Sequence, residues 1–220
     1  MRDNKRKQFL VAGLGLFGIS VAKTLQNMGY DVFAVDSDEN VVEEVSGDLT
    51  YVVCGDASDR RTLQALTIDD IDVAIVSIGN VEGNMMCTML LKEMGVPMVV
   101  SKAMNELHGA MLNKLGADKV VFAEKDMGER VAHNIVSSSI VDYIELSSAI
   151  SVMSLACPLE FVGKNLIEAD LRRRYDVNVV AIKRGKDTLV NPKAHEVFQP
   201  GDEIIILGTH EGVKRMGVEF

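Results

Sequence analysis

The chain has no tryptophan, only four prolines and only three cysteines among its 220 residues. Cys54, Cys87 and Cys157 are odd in number, far apart and form no CxxC pair. That argues against a disulfide framework and fits small buried apolar residues in a reducing compartment. The histidines His108, His133, His195 and His210 are equally scattered, without metal-ligand spacing. No apolar run approaches the ~18 residues that a membrane helix needs. The basic opening "MRDNKRK" runs straight into "QFLVAGLG", too short and glycine-broken for a signal-peptide core, and reads as a solvated tail. Positive charge is not in excess: the net charge of -9 argues against the basic face that nucleic-acid binding uses. These absences predict a cytoplasmic protein whose link to a membrane, if it has one, runs through a partner.

What is present is a dense alternation of strand and helix patterns. The apolar runs at 8–12, 31–35, 50–54, 72–77, 97–101 and 119–122 are short and Val-rich, as expected of parallel strands covered on both faces. Helical patterns lie between them at 17–28, 39–46, 59–66, 81–94 and 105–115, several ending in glycine. Such βα succession predicts an α/β Rossmann-type, doubly wound parallel sheet. A further helix is expected over 125–138, with Met127, Val131, Ile135 and Val136 along an apolar stripe, and a boundary in the polar stretch near 137–146. Beyond it, "SVMSLACP" reads as a strand, 163–175 as one helix, "VNVVAIKR" and "DEIIILGT" as strands, and 210–220 as a closing helix. The expected division is therefore residues 1–138, with helix 125–138 as a crossover, and a small α+β module over 139–220.

The motif "GLGLFG" places Gly13, Gly15 and Gly18 between the first strand and the first helix. The first glycine allows a tight turn, the second lets a pyrophosphate approach the backbone, and the third lets helix and strand pack closely. The helix start offers unpaired N–H groups to phosphates. Asp36 ends the second strand, where a carboxylate accepts from ribose hydroxyls and repels a 2′-phosphate. That favours NAD or an adenosine nucleotide over NADP. Two further loops follow strands: Cys54–Ser58, with Asp56 and Ala57 lining an adenine pocket and Ser58 beside them, and Ser77–Asn80, with Ile78–Gly79 under the ribose and phosphates. The plain alternative is that Asp56 and Ser58 only cap the next helix. Phe17 and Ser37 complete the candidate loop set.

Together, "GLGLFG", "AVD", "GDAS", "VSIGN", "SKA", "GADKVVFAEKDMG" and "GKNLIEADLRRRYDVNVVAIKRG…QPGDEIIILG" resemble the regulatory subunits of Trk/Ktr potassium-uptake systems, the cytoplasmic RCK proteins. The resemblance spans almost the whole chain. It implies a dimer assembling into an octameric ring beneath a membrane potassium-translocating subunit, with ATP, ADP or NAD(H) setting the gate. It assigns Gly13, Gly15, Gly18, Asp36, Asp56 and Ala57 to nucleotide contact and Lys102 to the phosphates. In some members an acid at the place of Glu124 approaches a cation and the γ-phosphate. Leu16 departs from the pattern: Ktr-type members often carry arginine there. Leucine offers no charge-assisted hydrogen bond, which moves the expectation toward NAD(H) or AMP/ADP. Some members also bind cyclic di-AMP through residues matching Leu166, Ile167, Arg172, Asn178 and Val179. The bland reading makes the three apolar positions core and Arg172 solvated.

Two other classes compete. A small NAD-dependent oxidoreductase needs an acid/base near the nicotinamide, for which Lys102 and His108 are the candidates. A nucleotide-sensing transcription factor needs a helix-turn-helix, and none is legible. The non-catalytic gating subunit is the expected function.

Overall fold

The computed structural model describes residues 7–66, 70–136, 140–147 and 149–217. The chain divides into two compact units, Met1–Glu124 and Lys125–Phe220.

The first unit carries a six-stranded parallel sheet in the order β3-β2-β1-β4-β5-β6. Its strands are β1 (Gln8–Ala12), β2 (Asp31–Asp36), β3 (Tyr51–Cys54), β4 (Val73–Val76), β5 (Met98–Lys102) and β6 (Lys119–Val121). The connecting helices are α1 (Leu16–Asn27), α2 (Glu39–Val45), α3 (Arg60–Ala65), α4 (Val81–Glu93) and α5 (Glu106–Lys114). The alternation along β1 shows why its residues are apolar on both sides. Leu10 and Ala12 pack with Ala74, Val76 and Leu91 on one face. Val11 packs with Ala22, Ala34 and Ile75 on the other. All three β1 residues are fully buried, and each leucine-sized side chain so buried contributes on the order of 2 kcal/mol. Strand order reverses between β1 and β4, and the crevice at that switch point is where open α/β sheets take ligands.

Edge position corrects one expectation. β3 is the outer strand, paired only with β2, and three of its four residues are exposed. Cys54 at its end is therefore exposed rather than buried, whereas Cys87 in α4 is buried and its thiol is pushed up to about 12 by that burial.

The second unit begins within α6 (Ala123–Val136), a helix that the sequence pattern alone groups with the first unit. Met127, Val131 and Ile135 of its expected apolar stripe are exposed. The side chain of Val136 lies outside the described residues, as do residues 137–139 of the expected boundary. A five-stranded antiparallel sheet follows in the order β10-β9-β11-β8-β7. Its strands are β7 (Ile140–Ser147), β8 (Ile150–Ala156), β9 (Val177–Arg184), β10 (Asp187–Val190) and β11 (Glu203–Thr209). Alternate residues Ile204 and Ile206 of β11 and Met153 and Leu155 of β8 are fully buried, against Phe161 and Phe198.

Four features differ from the sequence pattern. Residues 140–147 form an edge strand, β7, paired with β8 alone. Asp187–Val190 pairs back on β9 as a short hairpin arm. The helix expected over 163–175 is two short helices, α7 (Leu166–Ala169) and α8 (Leu171–Tyr175), because Asp170 between them is left-handed at φ 44. Aspartate tolerates that conformation better than most side chains. The closing helix α9 (His210–Arg215) is shorter than the pattern suggests, and residues 218–220 lie outside the described residues.

Candidate functional site

The loops at the carboxyl ends of β1 to β5 enclose an open cavity of about 740 Å³, all of it within the first unit, a size typical of small-molecule sites. Three glycines shape its floor in three ways. Gly13 has φ +92, and a Cβ there would lie 2.7 Å from the Ile78 nitrogen, so the turn admits only glycine. Gly18 packs under Gly13, and a Cβ would press onto the Gly13 carbonyl oxygen and lie 2.6 Å from Ser77 Oγ. Gly15 has open space where its Cβ would be, and its own backbone is unstrained at φ -68. The spare room thus faces the cavity, at the first residue before α1.

α1 also differs from its neighbours at this end. Helices α2, α3, α4 and α5 are capped by the side chains of Asp38, Asp59, Asn80 and Asn105. α1 has no side-chain cap and no acid in its first turn, so its start bears the positive end of a helix dipole with its first N–H groups uncapped by side chains.

The carboxylates are oriented by backbone. Asp36 Oδ2 accepts from Leu14 N at 2.5 Å, and Oδ1 from Asp38 N at 2.9 Å, locking the end of β2 to the glycine loop. Asp56 Oδ1 accepts from Ser58 N (2.8 Å) and Ser58 Oγ (2.7 Å). Capping geometry and a place on the cavity wall therefore coexist at Asp56 and Ser58. On the opposite side, buried Ser77 donates to the Gly13 carbonyl at 2.6 Å. Fully buried Asn84 donates from Nδ2 to the carbonyls of Ile78 (3.2 Å) and Lys102 (3.3 Å). This one amide fixes the spacing of the β4 and β5 ends.

Of the residues expected from sequence, the cavity brings together Gly13, Gly15, Asp36 and Ser37, then Asp56, Ala57 and Ser58, then Ile78, Gly79 and Lys102. Gly18 lies beneath it, and Phe17, in the first turn of α1, is partly buried against the core. Leu16, 93% exposed, projects from the surface at the helix start. Glu82 and Met86 also line the cavity. They are one turn apart at the start of α4, a placement visible only once α4 is known to begin at the switch point. Asn84 left no motif signal at all.

Lys102 Nζ lies 2.7 Å from Glu124 Oε1 and 6.0 Å from the centroid of the Phe17 ring. The ammonium holds the Glu124 carboxyl below the usual carboxylate range. No group of three or more His, Cys, Asp or Glu converges among the described residues, around Glu124 or elsewhere. His108 does not line the cavity. It is 2% exposed, its Nδ1 accepts from Met104 N at 3.3 Å, and burial pushes its pKa down. In the second unit Leu166 and Val179 pack against the core, while Ile167, Arg172 and Asn178 stand at the surface. Ile167 thus departs from the reading of all three apolar positions as core, because it sits in the first turn of α7 on the side away from the sheet's buried cluster.

Comparison with known proteins gives matches over the same two regions. The TrkA-N domain family model matches residues 9–123 and the TrkA-C domain model residues 158–219. The chain is 40% identical over 211 residues to Ktr system potassium uptake protein C of Bacillus subtilis (strain 168), covering 96% of each. It is 34% identical over 212 residues to Ktr system potassium uptake protein A of the same organism, again covering 96% of each. A solved structure described as the GsuK channel bound to NAD superposes with a TM-score of 0.68 at 16% identity, over 98% of this chain and 40% of that longer one. At that identity the likeness is one of fold.

Proposed function

The chain belongs to the TrkA-domain family of Ktr and Trk potassium-uptake proteins, and from that membership we propose that it is a regulatory subunit gating a potassium-translocating membrane protein. The ligand that sets its state is an adenine nucleotide, ATP/ADP or NAD(H), held in the cavity at the ends of β1 to β5. The observation that carries this reading is the combination at one switch point of an uncapped helix start, an unfilled Cβ position at Gly15 and the Asp36 carboxylate. The diphosphate would lie over Gly15, the ribose against Asp36, and the adenine near Asp56 and Ala57. The NAD named for the GsuK channel structure supports the same class of ligand.

No helix among the described residues is long and apolar enough to cross a membrane. By likeness to its Ktr relatives, the proposed subunit acts from the cytoplasmic side, docked to its partner as a homo-oligomeric ring, with α6 as the crossover between lobes. Cyclic di-AMP binding across copies at Ile167, Arg172 and Asn178, and a cation completed at Glu124 by another copy, belong to the same proposal. Gating requires unequal nucleotide affinity for two ring states, since equal binding shifts nothing. The reading is non-catalytic: His108, one of the two candidate acid/base groups, is off the cavity.

Binding of labelled ATP, ADP and NADH to wild type and Asp36→Ala tests it. Removing a charged acceptor of ribose hydroxyls is expected to weaken the preferred nucleotide by roughly 10–100-fold. Undiminished affinity for all three would remove Asp36 from the site. Steady substrate-dependent NADH oxidation would instead indicate an oxidoreductase.

A further inference from the structure

Charge around the cavity is unevenly distributed. Among the described residues lining it, Asp36, Asp56 and Glu82 are acidic, and Lys102 is the sole cation. That cation is already committed. Its side chain is only 15% exposed, its Nζ lies 2.7 Å from Glu124 Oε1, and Glu124 itself is 70% exposed. One partly buried ammonium therefore stands between two anion positions, the cavity and the first turn of α6. We propose that the Lys102–Glu124 ion pair is an exchangeable, specificity-determining contact of the nucleotide site. A ligand phosphate recruits Lys102 only by drawing it from Glu124, and the released carboxylate at the start of α6 reports that the site is filled. This rests on the nucleotide reading above.

The pair is well suited to exchange. Lys102 carries three donors on a flexible stem, and the Phe17 ring 6.0 Å away gives the moving ammonium an apolar and π-faced wall. Asn84 holds the Lys102 carbonyl, so the side chain can move while the strand end stays fixed. Because Glu124 is mostly exposed, the contact to be broken is weak and the exchange is within reach of one phosphate. The arrangement also gives Glu124 a definite sign. It competes with the ligand for Lys102 and so opposes binding.

Calorimetric titration of ADP into the full-length protein distinguishes the possibilities, with thermal melting of each variant as a folding control. Glu124→Gln is expected to bind ADP about threefold more tightly than wild type, the scale of an exposed ion pair. Lys102→Met is expected to bind about tenfold more weakly, and adding Glu124→Gln to it is expected to change nothing further. Equal or weaker ADP binding by Glu124→Gln would overturn the exchange, weaker binding showing that Glu124 itself helps hold the ligand. A gain that persists without Lys102 would overturn it too. Failure of wild type to bind ATP, ADP or NADH would instead remove the nucleotide site on which the exchange rests.

Discussion

Gly15→Val is expected to leave the chain folded and to abolish nucleotide binding, with affinity falling more than 100-fold. Nothing lies within 4 Å of the Cβ position at Gly15, and its φ of -68 suits any residue. The added Cβ therefore introduces no internal clash and no backbone strain. It does fill the space over the uncapped start of α1 where a diphosphate would contact backbone N–H groups. Gly18→Ala makes the contrast. Its Cβ would press onto the Gly13 carbonyl oxygen, so α1 must shift from β1 at a cost of about 1–3 kcal/mol, and both melting temperature and binding fall. Melting curves beside nucleotide titrations of the two variants separate the roles. Unchanged binding by Gly15→Val would mean that phosphates do not lie where the glycine loop suggests.

Arg184→Met is expected to cost the second unit about 3 kcal/mol at neutral pH. Arg184 donates to both oxygens of Asp202 at 2.9 Å, to Glu196 Oε1 at 3.1 Å and to the Val197 carbonyl at 3.0 Å. It thereby staples the loop before β11 to the end of β9. The Asp202 side chain is fully buried, and loss of the guanidinium strands a carboxylate helped only by the Gln199 N–H at 2.8 Å. Asp202→Asn leaves the less buried partner behind and is expected to cost less.

The pH dependence follows in sign. The Arg184 guanidinium, assisted by Gln199 N–H, holds the Asp202 carboxyl below its ordinary value. This stabilisation is present above the unfolded carboxylate pKa of about 3.9 and is lost as pH falls from there through the folded value. In Arg184→Met the buried carboxylate is unpaired, so lowering the pH relieves a penalty instead. Urea midpoints are expected to fall less in the variant than in wild type when pH is lowered from 7 to about 2.5, below the unfolded carboxylate value. An equal or larger fall would show that the pair contributes nothing to acid sensitivity.

The first unit was legible because its signals are local. Val-rich strands buried on both faces, glycine helix stops and "GLGLFG" each declare themselves within a few residues, and Asp36 falls where its strand ends. The second unit was less so. β7 is an edge strand, and edge strands need not alternate cleanly; the left-handed Asp170 interrupts a helical pattern that runs on unbroken in sequence. Cys54 was misplaced for a related reason, since its apolar neighbours do not reveal that β3 is the outer strand. In the site, residues placed by tertiary structure were the ones missed. Glu82 and Met86 reach the cavity only because α4 starts beside the glycine turn. Asn84 acts through two carbonyls that are distant in sequence, and the pairing of Lys102 with Glu124 depends on β5 and β6 being neighbours.

Potassium flux through vesicles carrying the Ktr-type membrane subunit with this protein added tests nucleotide gating most directly. Exchanging one adenine nucleotide for another is expected to change flux severalfold with wild type and to leave it constant with Gly15→Val, which is expected to keep the fold but not the ligand. Flux that ignores the nucleotide with wild type, or responds equally with Gly15→Val, would contradict gating through this cavity.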